Sequence, residues 1–347
     1  MRPGSLRHTA LPRYKSDRQK HRGLGGIMFK LWSRRKGSEP ATPPRLALAG
    51  DPLLPKRPEG PRVPFRYRGP AVILTSEVEN ISSAALQNAI RRRVPDIHFD
   101  KPPPEPANPG QSPTAIGSYP EMVKALEMGR TPLICGVAYN PGINLDGMDK
   151  ADFVTSCWWW PETRDVVARA KAHAVTIVLG QSEKTPAKER ILVEMNLVAA
   201  ALDVLKSAIA VVWLDANAMW KPDLFLSGLE EAKGEIPVSL AVPVKLGRDT
   251  QHLRPDGTPK WFARTEGLNA LGIMEVEWRG FGGEVPDLIK WMHGIAWYLV
   301  NKGPIIASGE SMGTDAPGVM PPVVIRHEDS TTVLGTQAYV VYPQRLS

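Results

Sequence analysis

The chain has 347 residues, 42% of them hydrophobic, two cysteines and a formal net charge of +7. That length permits two modest domains or one large one with a substantial core, and two cysteines exclude a disulfide framework, so Cys135 and Cys157 read as buried free thiols. Residues 1–70 hold 17 Lys and Arg against 4 Asp and Glu, leaving the other 277 residues with 26 basic and 32 acidic groups, a balance of −6 that excludes polyanion binding by the folded part.

No apolar run approaches the roughly 18 residues of a membrane span, and no basic stretch followed by a short apolar one marks a secretory signal. A cytoplasmic protein is the expectation. Residues 1–69 are rich in Pro, Arg and Gly without sustained periodicity, and they read as a disordered basic leader because so polar a stretch cannot bury enough surface to order itself. Met28 offers a second start within it, which would make the preceding residues an over-extended reading frame. The functional alternative for the leader is a basic arm that touches membrane or nucleic acid.

Order is predicted from Ala71, with Ala71-Val72-Ile73-Leu74-Thr75 as an apolar β-rich strand. Ser82 or Ser83 caps a helix carrying Leu86, Ala89 and Ile90, which Pro95 ends. Residues 101–113 read as a proline-rich loop, and Ser118 with Glu121 as a capping box before a short helix. A buried strand over 132–139 follows. Then comes Trp158-Trp159-Trp160-Pro161, three adjacent indoles that cannot all point one way in any regular element, closed by a proline suited to the first turn of a helix. Some of these rings must be buried while at least one lines a groove or interface.

A strand over 174–180 and a long helix starting at Thr185 and Pro186 come next, the helix carrying Ile191, Met195, Val198 and Leu202 at helical spacing. A second cycle is predicted as strand 209–214, helix 222–232, strands within 238–246 and 261–278, helix 286–302 closed by Gly303-Pro304, and strands 323–327 and 338–342. The fold class expected is α+β: two ferredoxin-like halves of split β-α-β type, residues 70–182 and 183–343, joined by the long helix behind the basic leader.

Several of these segments together resemble a bacterial family known as domain of unknown function 4261. The resemblance rests on Ser156-Cys157-Trp158-Trp159-Trp160-Pro161-Glu162, on Ala172-His173-Ala174-Val175 and Ala210-Val211-Val212-Trp213, and on Glu266 to Gly272 with Met274-Glu275-Val276. It covers residues 70–343 and leaves the leader out. It implies an adaptor or binding protein, in a toxin–immunity or secretion setting, and no particular chemistry.

Six residues stand out as a candidate binding set. Trp158, Trp159 and Trp160 form the aromatic block. Asp215 follows the strand 209–214, where polar groups at a carboxyl end are placed for ligands, although Asp215 and Asn217 also suit an ordinary turn. Glu275 and Glu277 alternate with Met274, Val276 and Trp278, so both carboxylates share one strand face, which reads as the solvated side of a half-buried sheet rather than an acid–base pair. Asp146, Asp149 and Asp152 lack the alternating spacing of a calcium loop. The seven histidines show no metal-ligand spacing, and Gly180-Gln181-Ser182 and Gly309-Glu310-Ser311 lack the second glycine of a nucleophile elbow. No cofactor and no metal are expected. The leading expectation is a non-enzymatic module that binds another protein. The alternative is an enzyme or small-ligand binder that uses a cleft between the halves, and a third reading is nucleic-acid binding through the leader alone.

Overall fold

The computed structural model describes residues 70–99, 112–120, 122–129, 132–142, 151–180, 186–314 and 319–344. The expected leader, most of the proline-rich loop, Glu121 of the expected capping box, and Asp146 and Asp149 lie outside the described residues. All described residues fall within one compact unit, Lys56–Ser347, and the architecture is α+β with two six-stranded sheets.

The first sheet begins with β1 (Ala71–Thr75), followed by α1 (Ser83–Arg93), β2 (Thr114–Tyr119), α2 (Met122–Glu127) and β3 (Leu133–Asn140). Next come two short helices flanking the tryptophans, α3 (Asp152–Thr155) and α4 (Thr163–Ala168), then β4 (Ala172–Leu179), α5 (Ala187–Val204), β5 (Ala208–Trp213) and β6 (Ala218–Trp220). The spatial order is β2-β3-β4-β1-β5-β6, and every neighbouring pair is antiparallel. Helices α1 and α5 cover one face and bury Leu86, Ala89, Ile90, Ile191 and Val198 in a core with Ile73, Val137 and Ala174. Ser82 is the N-cap of α1 and accepts from the Ala85 amide at 3.1 Å, satisfying one of the donors a helix start leaves open.

The chain leaves this sheet through α6 (Pro222–Glu231) and α7 (Val238–Ala241) and builds the second from β7 (Val244–Leu253), β8 (Pro259–Thr265), β9 (Glu275–Phe281), α8 (Val285–Lys302), β10 (Glu310–Met312), β11 (Val323–Asp329) and β12 (Gln337–Pro343). The order is β10-β11-β12-β9-β8-β7; β9 and β12 run parallel and the remaining pairs antiparallel. The parallel pair requires a crossover, and α8 lies within it. Helix α8 buries Leu288, Met292, Ile295 and Leu299, one stripe at helical spacing, and ends at Gly303 with φ +86°, a conformation glycine adopts without a Cβ clash.

Several elements differ from their expectation. The long helix connects β4 to β5, two strands of the same sheet, so the chain passes between sheets later, over 221–243. Residues 238–246 divide into α7 and the start of β7, with Pro237 before the helix and Pro243 between the two. Ser118 caps no helix: it lies in β2, and its amide and carbonyl pair with the backbone of His98. The second sheet carries one long helix and one parallel pair, where a split β-α-β unit has two helices over an antiparallel sheet.

One core runs from Ile73 and Val211 in the first sheet through Ala241 and Leu268 to Trp278 and Tyr339 in the second. Within it, Gly267 has φ +119°, and a Cβ there would lie 2.2 Å from the Ala241 carbonyl and 3.2 Å from Ala216 Cβ. The first obstacle is backbone and the second is a Cβ fixed to buried backbone, so neither yields cheaply. Gly267→Ala is therefore expected to lower unfolding free energy by about 3 kcal/mol in urea denaturation. A loss under about 1 kcal/mol would mean that the two sheets are less tightly apposed than this geometry states.

Candidate functional site

The tryptophan block lies on the open side of the first sheet. Pro161 and Glu162 precede α4, and the three rings diverge: Trp160 is buried, Trp159 half-buried and Trp158 41% exposed. Trp160 joins Leu74, Val154, Cys157, Val166, Ala210, Val212 and Met219 in a satellite core over β1, β5 and β6. Trp159 packs against both this cluster and the main core. Its ring stacks on Trp220 at 5.0 Å and 20°, meets Trp158 edge-on at 5.7 Å, and its indole N–H donates to the Met219 carbonyl at 3.2 Å. The Trp158 N–H reaches across to the Val244 carbonyl of β7 at 2.9 Å. The block thus crosses from one sheet to the other.

Lys245 of β7 reaches back in the opposite direction. Its ammonium donates to Ser156 Oγ and to the Asn217 carbonyl, each at 2.7 Å, and lies 5.1 Å from the centre of the Trp159 ring. Asn217 can present that carbonyl because it adopts a left-handed conformation, φ 49°, which asparagine tolerates better than most residues. Burial lowers the Lys245 pKa; the nearby Cys157 and Glu266 oppose that shift and Arg264 adds to it. Two hydrogen bonds and one ring face account for the three N–H directions of the ammonium. This is the arrangement of a structural cation. Cys157 fits the same reading: its thiol donates to the Phe153 carbonyl at 2.8 Å and accepts from the Met219 amide at 3.2 Å, and burial raises its pKa, which makes it a poor nucleophile.

The remaining candidate residues are buried, each for a traceable reason. Asp215 lies in the 3-10 turn Leu214–Ala216 after β5, with its side chain facing Arg190 of α5 at 3.6 Å. The same guanidinium donates at 3.4 Å to the Ala270 carbonyl, in the 3-10 turn between β8 and β9. Glu275 accepts from Thr265 Oγ1 at 2.7 Å and from the Gly267 and Asn269 amides at 3.0 and 3.1 Å, closing the turn that precedes its own strand. Burial raises its pKa against those three hydrogen bonds. Glu277 is fully buried and holds the β11–β12 hairpin: it accepts from Ser330 Oγ at 2.5 Å, from Thr331 and Thr332, and from Arg279 at 2.8 Å. Burial opposes its charge, but those bonds outweigh burial and its pKa lies below the ordinary glutamate value. The shared strand face of Glu275 and Glu277 is therefore an interior face and not a solvated one.

The tryptophan block, Asp215 and Glu275 all adjoin the joint between the sheets, whereas Glu277 sits further out at a hairpin. Sequence reasoning missed Arg190, Glu194 and Lys245. A signal existed for Glu194, which falls among Ile191, Met195 and Val198 on the apolar stripe of α5, so a carboxylate there had to be buried. Lys245 carried no such signal, because its partners come from residues 28 and 89 positions away.

Among the described residues no group of three or more His, Cys, Asp or Glu side chains is placed to hold a metal ion. A shallow open depression of about 340 Å³ lies beside the block, bounded by Trp160, Glu162, Arg169, Lys221 and Asp223 among others. Its charged residues are of both signs. Comparison with protein-family models, with curated proteins and with solved structures finds no match in any of the three.

A different surface is open. Ile134 of β3 stands opposite Leu179 of β4 and Ser118 of β2, and Ile116 is two residues from Ser118, so Ile116, Ile134 and Leu179 project from one face. They are 46%, 49% and 54% exposed. This is the face that the tryptophan block covers over β1, β5 and β6, left uncovered by the block at the β2-β3-β4 end.

For Lys245, two substitutions separate packing from charge. Lys245→Ala removes both hydrogen bonds, the cation over the Trp159 ring and the aliphatic stem, and is expected to cost about 2–3 kcal/mol. Lys245→Met keeps most of the stem but leaves Ser156 Oγ and the Asn217 carbonyl without this donor, and is expected to cost about 1–2 kcal/mol. Denaturant unfolding measures both. A larger loss for Met than for Ala would contradict a structural role for this cation.

Proposed function

We propose that this chain is a non-enzymatic protein-binding module that captures its partner on the apolar sheet face formed by Ile116, Ile134 and Leu179. That exposed face carries the reading: three adjacent strands each present a large aliphatic side chain outward, and contiguous exposed apolar surface marks interaction sites far more often than chance exposure does. Support also comes from the ionisable groups, because Asp215, Glu275, Glu277 and Lys245 are taken up by bonds within the fold. None of these four is free to serve as an acid, a base or a nucleophile. Trp158, the exposed member of the block, is tied to Val244 and serves at most as a margin of the interface.

Two finer readings accompany this one. The first sheet is ferredoxin-like at its centre, a reading supported by the antiparallel order β5-β1-β4-β3 with α1 and α5 on one face. Kinship with the family known as domain of unknown function 4261 rests on residues 156–162 and the segments named with them, and it agrees with a binding protein in a toxin–immunity or secretion setting. A cytoplasmic location suits that setting; among the described residues no helix is long and apolar enough to cross a membrane.

The full chain as bait in lysate of its native host tests the proposal. Ile134→Asp, at an exposed position, should leave folding intact and reduce partner retention at least tenfold, since one buried charge at an apolar interface costs over about 1.4 kcal/mol. Leu224→Asp, on α6 and also exposed, should retain the partner as the parent does. Equal retention by Ile134→Asp and the parent would remove this face from the interface.

A further inference from the structure

The edge of a β-sheet leaves a row of backbone donors and acceptors open unless something covers it. Three of the four edges here are covered in part or cut short. On β6, the Met219 amide donates to Cys157 Sγ and the Met219 carbonyl accepts from the Trp159 N–H. On β2, the Thr114 amide donates to Ser83 Oγ, and Ser118 pairs with His98. β10 has three residues. The fourth edge is β7, beyond which no strand lies among the described residues.

The register fixes which groups of β7 face outward. The Glu266 amide donates to the Pro243 carbonyl at 3.0 Å. In the pairing Lys245↔Arg264, Gly247↔Phe262 and Asp249↔Lys260, the odd-numbered residues of β7 therefore bond to β8. Val244, Leu246 and Arg248 turn their amides and carbonyls the other way, and the Trp158 N–H on the Val244 carbonyl agrees with that direction. Leu246 and Arg248 follow with no backbone partner on that side among the described residues, until the register shifts after Asp249. Side chains supply a second, independent observation. Leu246 is half-buried at the margin of the core. Arg248 is exposed, its guanidinium lies over the Trp261 ring at 3.5 Å from the ring centre, and it makes no ion pair or hydrogen bond with a described residue. A guanidinium held over an aromatic face keeps its in-plane N–H groups for a carboxylate.

We propose that β7 is a strand-addition site for an extended acidic segment of a partner protein, which pairs antiparallel with residues 246–248. Its carboxylate lies opposite Arg248, and an aliphatic side chain two residues later lies opposite Leu246. Main-chain bonds give such a site its affinity and alternate side chains its selectivity, and residues directly opposite on an antiparallel pair share one face. A second copy of this chain fits less well. Pairing β7 with itself sets Arg248 against Val244, Leu246 or another Arg248 and leaves its charge unanswered. The site belongs to the second sheet and does not depend on the apolar face of the first.

The test titrates the full chain with a capped peptide, Thr-Val-Thr-Glu-Thr-Val-Thr, and follows amide hydrogen exchange by NMR. At saturating peptide the Leu246 and Arg248 amides are expected to exchange about tenfold more slowly. Lysine in place of the peptide's glutamate should weaken binding at least about fivefold. Arg248→Glu, at an exposed position, should reverse that preference. Two results from the unmodified chain would overturn the proposal. One is a glutamate peptide that leaves both amides unchanged. The other is slow exchange of both amides without peptide: if lost on dilution it assigns the edge to a second copy, and if unaffected by dilution it assigns the edge to the chain itself. A preference for glutamate that survives Arg248→Glu would equally contradict it.

Discussion

The structure depends on Trp159 more than on any other side chain. A single indole packs against the main core and the satellite core, stacks on Trp220 of the first sheet, and lies under the ammonium of Lys245 from the second. Aromatic rings suit such a post because they bring large apolar area, a donor at one edge and an electron-rich face for a cation. The neighbours on either side extend the reach: Trp160 seals the sheet face below, and Trp158 crosses to Val244. Three consecutive tryptophans are explained by three different jobs on one short connection between α3 and α4.

The buried charged groups of the two sheets obey a common constraint. Each is buried, and each is matched by donors or acceptors from a different stretch of chain, so each one closes a loop or ties two elements. Asp215 and Arg190 join α5 to the turn after β5, Arg190 continues to Ala270, Glu275 closes the turn that holds Gly267, and Glu277 anchors the distant hairpin. Buried ionic groups of this kind add little net stability over apolar packing, but removing one partner is costly. Their value lies in specifying one arrangement of two sheets that share a core. Glu194 departs from this pattern, since among the described residues one of its oxygens has no hydrogen-bond partner.

Much of the fold could be read from residue order. β1, α1, α6 and the C-terminal strands fall within a residue or two of expectation because each has a clean signal: an apolar run, a serine cap, a proline at the first turn. The tryptophan block precedes a helix as expected, with one ring out and one in, although Pro161 stands before the N-cap Glu162 and not in the first turn. What failed were pairings over long distances. The face of β9 reads as alternating and hence half-solvated, yet Ser330, Thr331 and Thr332, more than fifty residues away, cover Glu277. The Lys245 site was invisible for the same reason. β2 was missed because its Gly117 and flanking prolines lower strand propensity, while His98, approaching within 2.9 Å on its outer edge, supplies pairing that no local pattern announces.

The central claim is that the joint makes the two sheets one cooperative unit. Differential scanning calorimetry of the full chain tests it most directly, read alongside hydrogen exchange in β3 of the first sheet and β12 of the second. The account requires a single transition with equal calorimetric and van 't Hoff enthalpies, and matching opening free energies in the two strands. Two resolved transitions, or one sheet exchanging while the other remains protected, would show that the sheets are independent and that the joint is only a contact between them.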